Sequence, residues 1–241
     1  MSAQEPKLST DRLVESIGKW IEKNTTPEFR DFKQKQVRRT LADELDYKLG
    51  LPEMPKEFVF SEAVEKEHAL ITSFLYLHQS AEALSQCEYY FRRFPFRSLP
   101  ISRHEHLRNV CELYFSMFYV IRSRLKEVLN KLKAACPGCR IDVGAFIKAC
   151  DKEFDQELRE RNSLHHSVPF EDLNIDRIML TGMMASTEKF RDKGWDKEHL
   201  SAYRKSSKEW ANRVKRRSVA DRAFIDAAAK VILDKSSFLK T

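Results

Sequence analysis

Apolar residues recur every three or four positions along most of this chain. No stretch alternates apolar and polar residues in the way a strand does, so the pattern predicts helices throughout. The clearest stripe is Leu107, Val110, Tyr114, Met117, Ile121, Leu125, Val128 and Leu132. Such a face must be covered by other helices. Ser102-Arg103-His104-Glu105 reads as a capping box that opens this helix. A long helix precedes it, capped by Ser61 and carrying Val64, Ile71, Phe74, Leu75, Ala81 and Leu84 as far as Phe91 and Phe94.

Two shorter helices come first. Residues 1–9 read as a loose tail. Residues 10–23 put Leu13, Ile17, Trp20 and Ile21 on one face. Thr26-Pro27 restarts the chain as N-cap and first helical residue. The next helix carries Val37, Leu41, Leu45 and Leu49 and stops at Gly50. Residues 51–55 form a proline-bounded linker, and residues 94–100 an aromatic, proline-bounded turn. After Cys136-Pro137-Gly138-Cys139, Asp142 caps one helix with Phe146, Ile147, Cys150, Phe154 and Leu158 inward. That helix leads into Arg159-Glu160-Arg161-Asn162-Ser163-Leu164-His165-His166 and ends before Pro169. A short helix with Leu173, Ile178, Met179, Met183 and Met184 follows, then a turn at Gly194-Trp195. A basic helix has Leu200, Tyr203, Trp210 and Val214 inward, and a separate last helix holds Phe224, Ile225, Ala228, Val231 and Ile232. The fold class expected is all-α, a bundle of long antiparallel helices. Residues 1–55 form an N-terminal helical extension, 56–192 the central bundle, and 193–241 basic C-terminal helices packed on it.

The 241 residues suffice to bury a sizeable core, and only 6 Gly and 8 Pro agree with long helices. The first residues lack a basic-then-apolar export pattern, and the most apolar run, 113–121, is about half a membrane span. No membrane association is expected. The five Cys read as reduced thiols of a cytoplasmic protein. The net charge of +7 suits nucleic acid or an acidic partner protein.

Cys136 and Cys139 have half the spacing of a zinc site, but no second pair completes it, so a helix-ending turn is the better reading. His104 and His106 point to different faces of a first turn and read as solvated. No glycine loop cradles a phosphate, and no Ser or Cys carries a local nucleophile signature. Residues 204–217 hold Arg204, Lys205, Lys208, Arg213, Lys215, Arg216 and Arg217 against one acid, Glu209. Set on an outer face, these cations would bind phosphates without sequence preference. A solvated face explains them equally well. Tyr203 and Trp210 fall on the apolar side, as core residues rather than stacking platforms.

The remaining concentration of chemistry is 159–166, where Arg, Asn and His gather at a helix end. Two readings stand on position and composition. Arg and His favour the negative end of a helix dipole and need no further role. Alternatively, a permanently charged Arg beside a titratable His suits phosphate chemistry.

Arg161-Asn162-x-x-x-His166 resembles the R-N-x-x-x-H signature of HEPN domains (higher eukaryotes and prokaryotes nucleotide-binding). The helix order around it is similar: two long helices, a third ending in the motif, then a shorter one. Phe91-Arg92-Arg93-Phe94-Pro95-Phe96 and the next helix, with Tyr114, Tyr119 and Arg124, look similar to bacterial HEPN proteins linked to phage defence. The resemblance covers roughly residues 57–190. It implies a helical bundle that dimerises, an endoribonuclease needing neither metal nor cofactor, and a defence or toxin-like role with RNA as substrate. An acidic protein or antitoxin is a further partner it allows. The alternative is a noncatalytic helical module that binds protein or RNA.

The chemistry can be written without the resemblance. RNA brings its own nucleophile, the 2′-OH. His166 would move a proton, Arg161 would stabilise the phosphorane, and Asn162 would orient them. Arg159, His165, Lys208, Arg213, Arg216 and Arg217 would gather phosphates. On one continuous helix, residues five apart lie about 140° round from each other. Arg161 and His166 therefore meet at one phosphate only if the helix opens near Ser163 or a second subunit completes the site.

Overall fold

The computed structural model describes residues 7–44, 57–94, 101–165, 170–190 and 194–240, together with backbone but not side-chain placement at Asp43, Leu164 and His165. Among these residues the structure is all helical, with eight α-helices and two short 3-10 turns. The helices are α1 (Ser9–Asn24), α2 (Pro27–Glu44), α3 (Glu62–Arg92), α4 (Arg103–Ala135), α5 (Val143–Glu153), α6 (Asp155–His165), α7 (Leu173–Ser186) and α8 (Trp195–Lys235). No described helix is long and apolar enough to cross a membrane.

The starts of these helices follow local chemistry. Ser61 Oγ accepts from the Val64 N–H and Asp142 Oδ1 from the Ala145 N–H, at 3.4 and 2.9 Å. At α4 the capping box is complete: Ser102 Oγ accepts from Glu105 N–H at 3.1 Å, and Glu105 Oε2 from Ser102 N–H at 2.7 Å. Each such cap satisfies a donor that the helix leaves unpaired.

Helices α3, α4 and α8 form the centre. The Arg124 guanidinium reaches back to Ser80 at 2.8 Å, and the His106 ring meets the Tyr90 carbonyl at 3.0 Å, so α4 runs antiparallel to α3. Phe91 stacks on Trp210 at 5.5 Å while Glu82 faces Arg222, so α8 is antiparallel to α3 as well. Trp210 is the hub, with Tyr114, Phe115 and Phe170 packed edge-on around it. One hydrophobic cluster runs from Leu13 in α1 to Leu239. The C-terminal helix is thus part of the core rather than laid upon it. Helix α1 is tied to it where Thr10 N–H donates to Asp226 at 2.8 Å.

Several expectations are corrected. The basic helix and the last helix are one helix of 41 residues, because no Gly or Pro falls between residues 195 and 241 to interrupt it. The single helix expected from Asp142 to the motif is broken at Phe154. Its α5 ladder ends with the Phe154 N–H on Cys150, and α6 begins with the Leu158 N–H on Phe154. Phe154 is wedged against Phe118 and Phe224, and Arg217 donates to the Glu153 carbonyl at the break. The expected apolar face of α2 is not buried: Val37 and Leu41 are exposed, as is Ile21 of α1. What holds α2 is a separate aromatic cluster of Phe29, Phe32, Phe58 and Phe60. His106 is buried rather than solvated, bonded to Tyr90 and edge-on to Phe94. Leu45, Leu49, Gly50, the 51–55 linker, most of the 94–100 turn and Pro169 lie outside the described residues.

Candidate functional site

Beyond the break at Phe154, α6 packs on α4 and is linked to α8 through the side chain of Glu157. Glu157, in the first turn of α6, is only 2% exposed. A carboxylate there is costly unless its charge is matched. It accepts from Tyr114 Oη at 3.3 Å, Arg213 Nη2 at 3.2 Å and Arg217 Nη2 at 3.0 Å. Arg213 also lies 4.9 Å from the Trp210 ring centroid, and Arg217 lies 4.9 Å from that of Phe154. Burial, with the Glu157 charge adding to it, pushes the Tyr114 hydroxyl well above the usual phenol range, so it stays a donor.

This network changes the picture of the basic helix. Arg213 and Arg217 do not stand on an outer face; they turn inward and neutralise Glu157. With Arg216, Lys152, Glu153 and Asp155 they line an open depression of about 540 Å³ whose cations and acids largely offset one another. Lys208 and Arg216 remain exposed, as do Arg204, Lys205 and Lys215. Arg159 is exposed too, but it is paired with Asp155 one turn earlier at 2.9 Å.

Arg161 is placed differently. Its guanidinium carbon lies 3.9 Å from the centroid of the Tyr119 ring, a cation–π stack that fixes the side chain against α4. Its Nη1 donates to Asn162 Oδ1 at 3.4 Å. Among the described residues no carboxylate pairs with it. Arg161 is half-buried, while Asn162 and Ser163 are exposed. Arg161 and Asn162 are therefore brought together, whereas Lys208, Arg213, Arg216 and Arg217 belong to α8 across the Glu157 network. His165 is the last residue of α6, with its side chain outside the described set, and His166 lies outside the described residues altogether. Because α6 is helical through His165, the chain does not open at Ser163.

Tyr119 is the site residue that sequence reasoning did not single out for a role. Its partner lies forty-two positions away, so no spacing links them; the available signal was an aromatic side chain off the α4 apolar stripe. Elsewhere the thiols of Cys136 and Cys139 are free and half-buried at the α4–α5 turn. His104 lies 3.9 Å from Asp176 of α7. Among the described residues no group of three or more His, Cys, Asp or Glu side chains is placed to hold a metal ion. No protein-family model, curated protein or solved structure matches this chain.

Proposed function

We propose that this protein is an endoribonuclease of the HEPN type, acting as a homodimer in which Arg161 of one copy and His166 of the other meet at one phosphate. One observation carries the reading. Arg161 is the motif's cation, and it is held rigidly on Tyr119 while its charge is left uncommitted, whereas Arg159, Arg213 and Arg217 are spent on carboxylates. A planar, bidentate donor held in this way is suited to the non-bridging oxygens of a phosphorane. Asn162, beside it, orients the guanidinium or a phosphate oxygen. His166 takes the proton of the 2′-OH or supplies one to the leaving 5′-oxygen. Lys208, Arg216 and their exposed neighbours on α8 gather the RNA backbone; Arg213 and Arg217 hold α6 in place instead.

Of the two ways to bring the motif's Arg and His to one phosphate, a helix opened at Ser163 or a second copy, the unbroken α6 at Ser163 supports the second. The rival reading, a noncatalytic module, is supported by α7, whose Leu173, Leu180 and Met183 are exposed apolar side chains suited to a protein partner. Incubation of single-stranded RNA with the protein in excess EDTA separates the two. The expected result is cleavage leaving 2′,3′-cyclic phosphate ends, abolished in both Arg161→Ala and His166→Ala with helical CD unchanged. Cleavage that survives both substitutions overturns the assignment, and a wild-type protein that cuts no RNA leaves the rival standing.

A further inference from the structure

The fold sorts the five cysteines into two kinds. Cys87, Cys111 and Cys150 are fully buried on separate helices. Burial pushes each of these thiols up, Cys87 to about 11 and Cys150 to about 12. Such thiols pack as small apolar side chains and are chemically inert. Cys136 and Cys139 are different. Both are free, both are half-buried, and they bound the turn that ends α4.

The turn brings these two thiols together. Its backbone is closed by the Cys139 N–H, which donates to the Cys136 carbonyl at 2.9 Å. A turn closed in this way holds its first and fourth Cα atoms within about 7 Å, the window that a disulfide spans. The side chain of Cys139 turns inward. Its thiol lies 3.9 Å from the Leu132 carbonyl, which also accepts the Cys136 N–H at 2.9 Å. The Cys139 sulfur thus folds back over the last turn of α4, beside the backbone of Cys136. The apex of the turn is open. Pro137 and Gly138 are exposed, and a methyl group added at Gly138 would meet nothing within 4 Å. A small reagent can therefore reach the pair.

We propose that Cys136 and Cys139 form a reversible disulfide, made by exchange with a low-molecular-weight disulfide. One protein thiolate attacks the reagent, forming a mixed disulfide and releasing one small thiolate. The second protein thiolate attacks the protein sulfur of that mixed disulfide, closing the internal bond and releasing the other small thiolate. The two protons lost by the protein are taken up by the two released thiolates. Burial pushes the Cys136 thiol up, so the bond is favoured by a second sulfur held nearby, not by an unusually acidic thiol. The pair lies where α4 meets the end of α8, with the Cys136 thiol 3.8 Å from the Ser236 hydroxyl. It is independent of the Arg161 region and of any activity there.

The full-length protein is equilibrated without oxygen at about 1 mM reduced glutathione and increasing oxidised glutathione. Remaining thiols are then blocked with N-ethylmaleimide and the peptides read by mass. The expected result is loss of two hydrogens from the peptide that holds both cysteines, with a midpoint independent of protein concentration. Cys136→Ser and Cys139→Ser should each stop at a glutathione adduct on the remaining thiol. Half-conversion of those variants should need at least about tenfold more oxidised glutathione than the wild type, whose exchange is completed within one molecule. Glutathione adducts in the wild type with no internal bond, or no reaction at either thiol, overturn the proposal. So does a bond between chains, seen as a midpoint that shifts with protein concentration.

Discussion

Arg161 and Arg217 show how position decides what a cation does. Both stack on an aromatic ring, Tyr119 for one and Phe154 for the other. Arg217 also faces a buried carboxylate, so its charge is consumed by the fold. Among the described residues Arg161 faces none, so its charge stays available. Tyr119→Leu should therefore lower RNA cleavage about tenfold while leaving the melting temperature nearly unchanged, measured by initial rates and CD melts. Glu157→Gln should act the opposite way. It leaves partly buried Arg213 without a carboxylate and Arg217 with Glu153 alone, and should cost about 3 kcal/mol of stability in urea unfolding. Asp221 offers a third case. It is 0% exposed, and neither carboxylate oxygen has a hydrogen-bond partner. Burial, helped by Glu82 and opposed by Arg222, pushes its pKa up to about 7. The folded state thus binds a proton that the unfolded chain releases at an ordinary carboxylate pKa. Stability from this group is full below that ordinary value and is lost as pH rises through about 7. The loss should be on the order of a few kcal/mol, seen as a urea midpoint that falls between about pH 4 and 7 and then levels off. Asp221→Asn, which cannot ionise, should flatten that part of the profile; an unchanged slope would contradict the assignment.

At the scale of elements, what the sequence shows depends on how local the determinant is. Ser61, Ser102 with Glu105, and Asp142 cap helices through residues three positions on, and all three were legible. The all-helical class and the α4 stripe were legible for the same reason, since a period of three to four is local. The break at Phe154 was not, because no breaker residue marks it. It depends on Phe118, Phe224 and Arg217, distant in sequence, which wedge the ring and take up the freed carbonyl of Glu153. The inward turn of Arg213 was hidden likewise, since its acid lies fifty-six positions away. An unbroken α8 was legible in principle from the lack of Gly and Pro, but the change from basic to apolar composition near residue 218 suggested two helices. Phe154→Ala should remove the wedge, costing about 3–4 kcal/mol in urea unfolding. It should also reduce RNA cleavage, because α6 would no longer be aimed across α4.

At the scale of the whole molecule, α8 joins both ends of the fold. Its N-terminal half holds α6 through Glu157, and its C-terminal half holds α1 through Asp226. The motif is therefore mounted on the core, not on an appended arm. Because α6 does not open at Ser163, a second copy completes the proposed site. Mixing Arg161→Ala protein with His166→Ala protein tests this most directly. Each variant alone should be inactive. After subunit exchange, half the dimers are mixed, and each mixed dimer regains one of two sites, so about a quarter of wild-type cleavage should return. No recovery after demonstrated exchange, or cleavage by either variant alone, would contradict a site built from Arg161 and His166 of two copies.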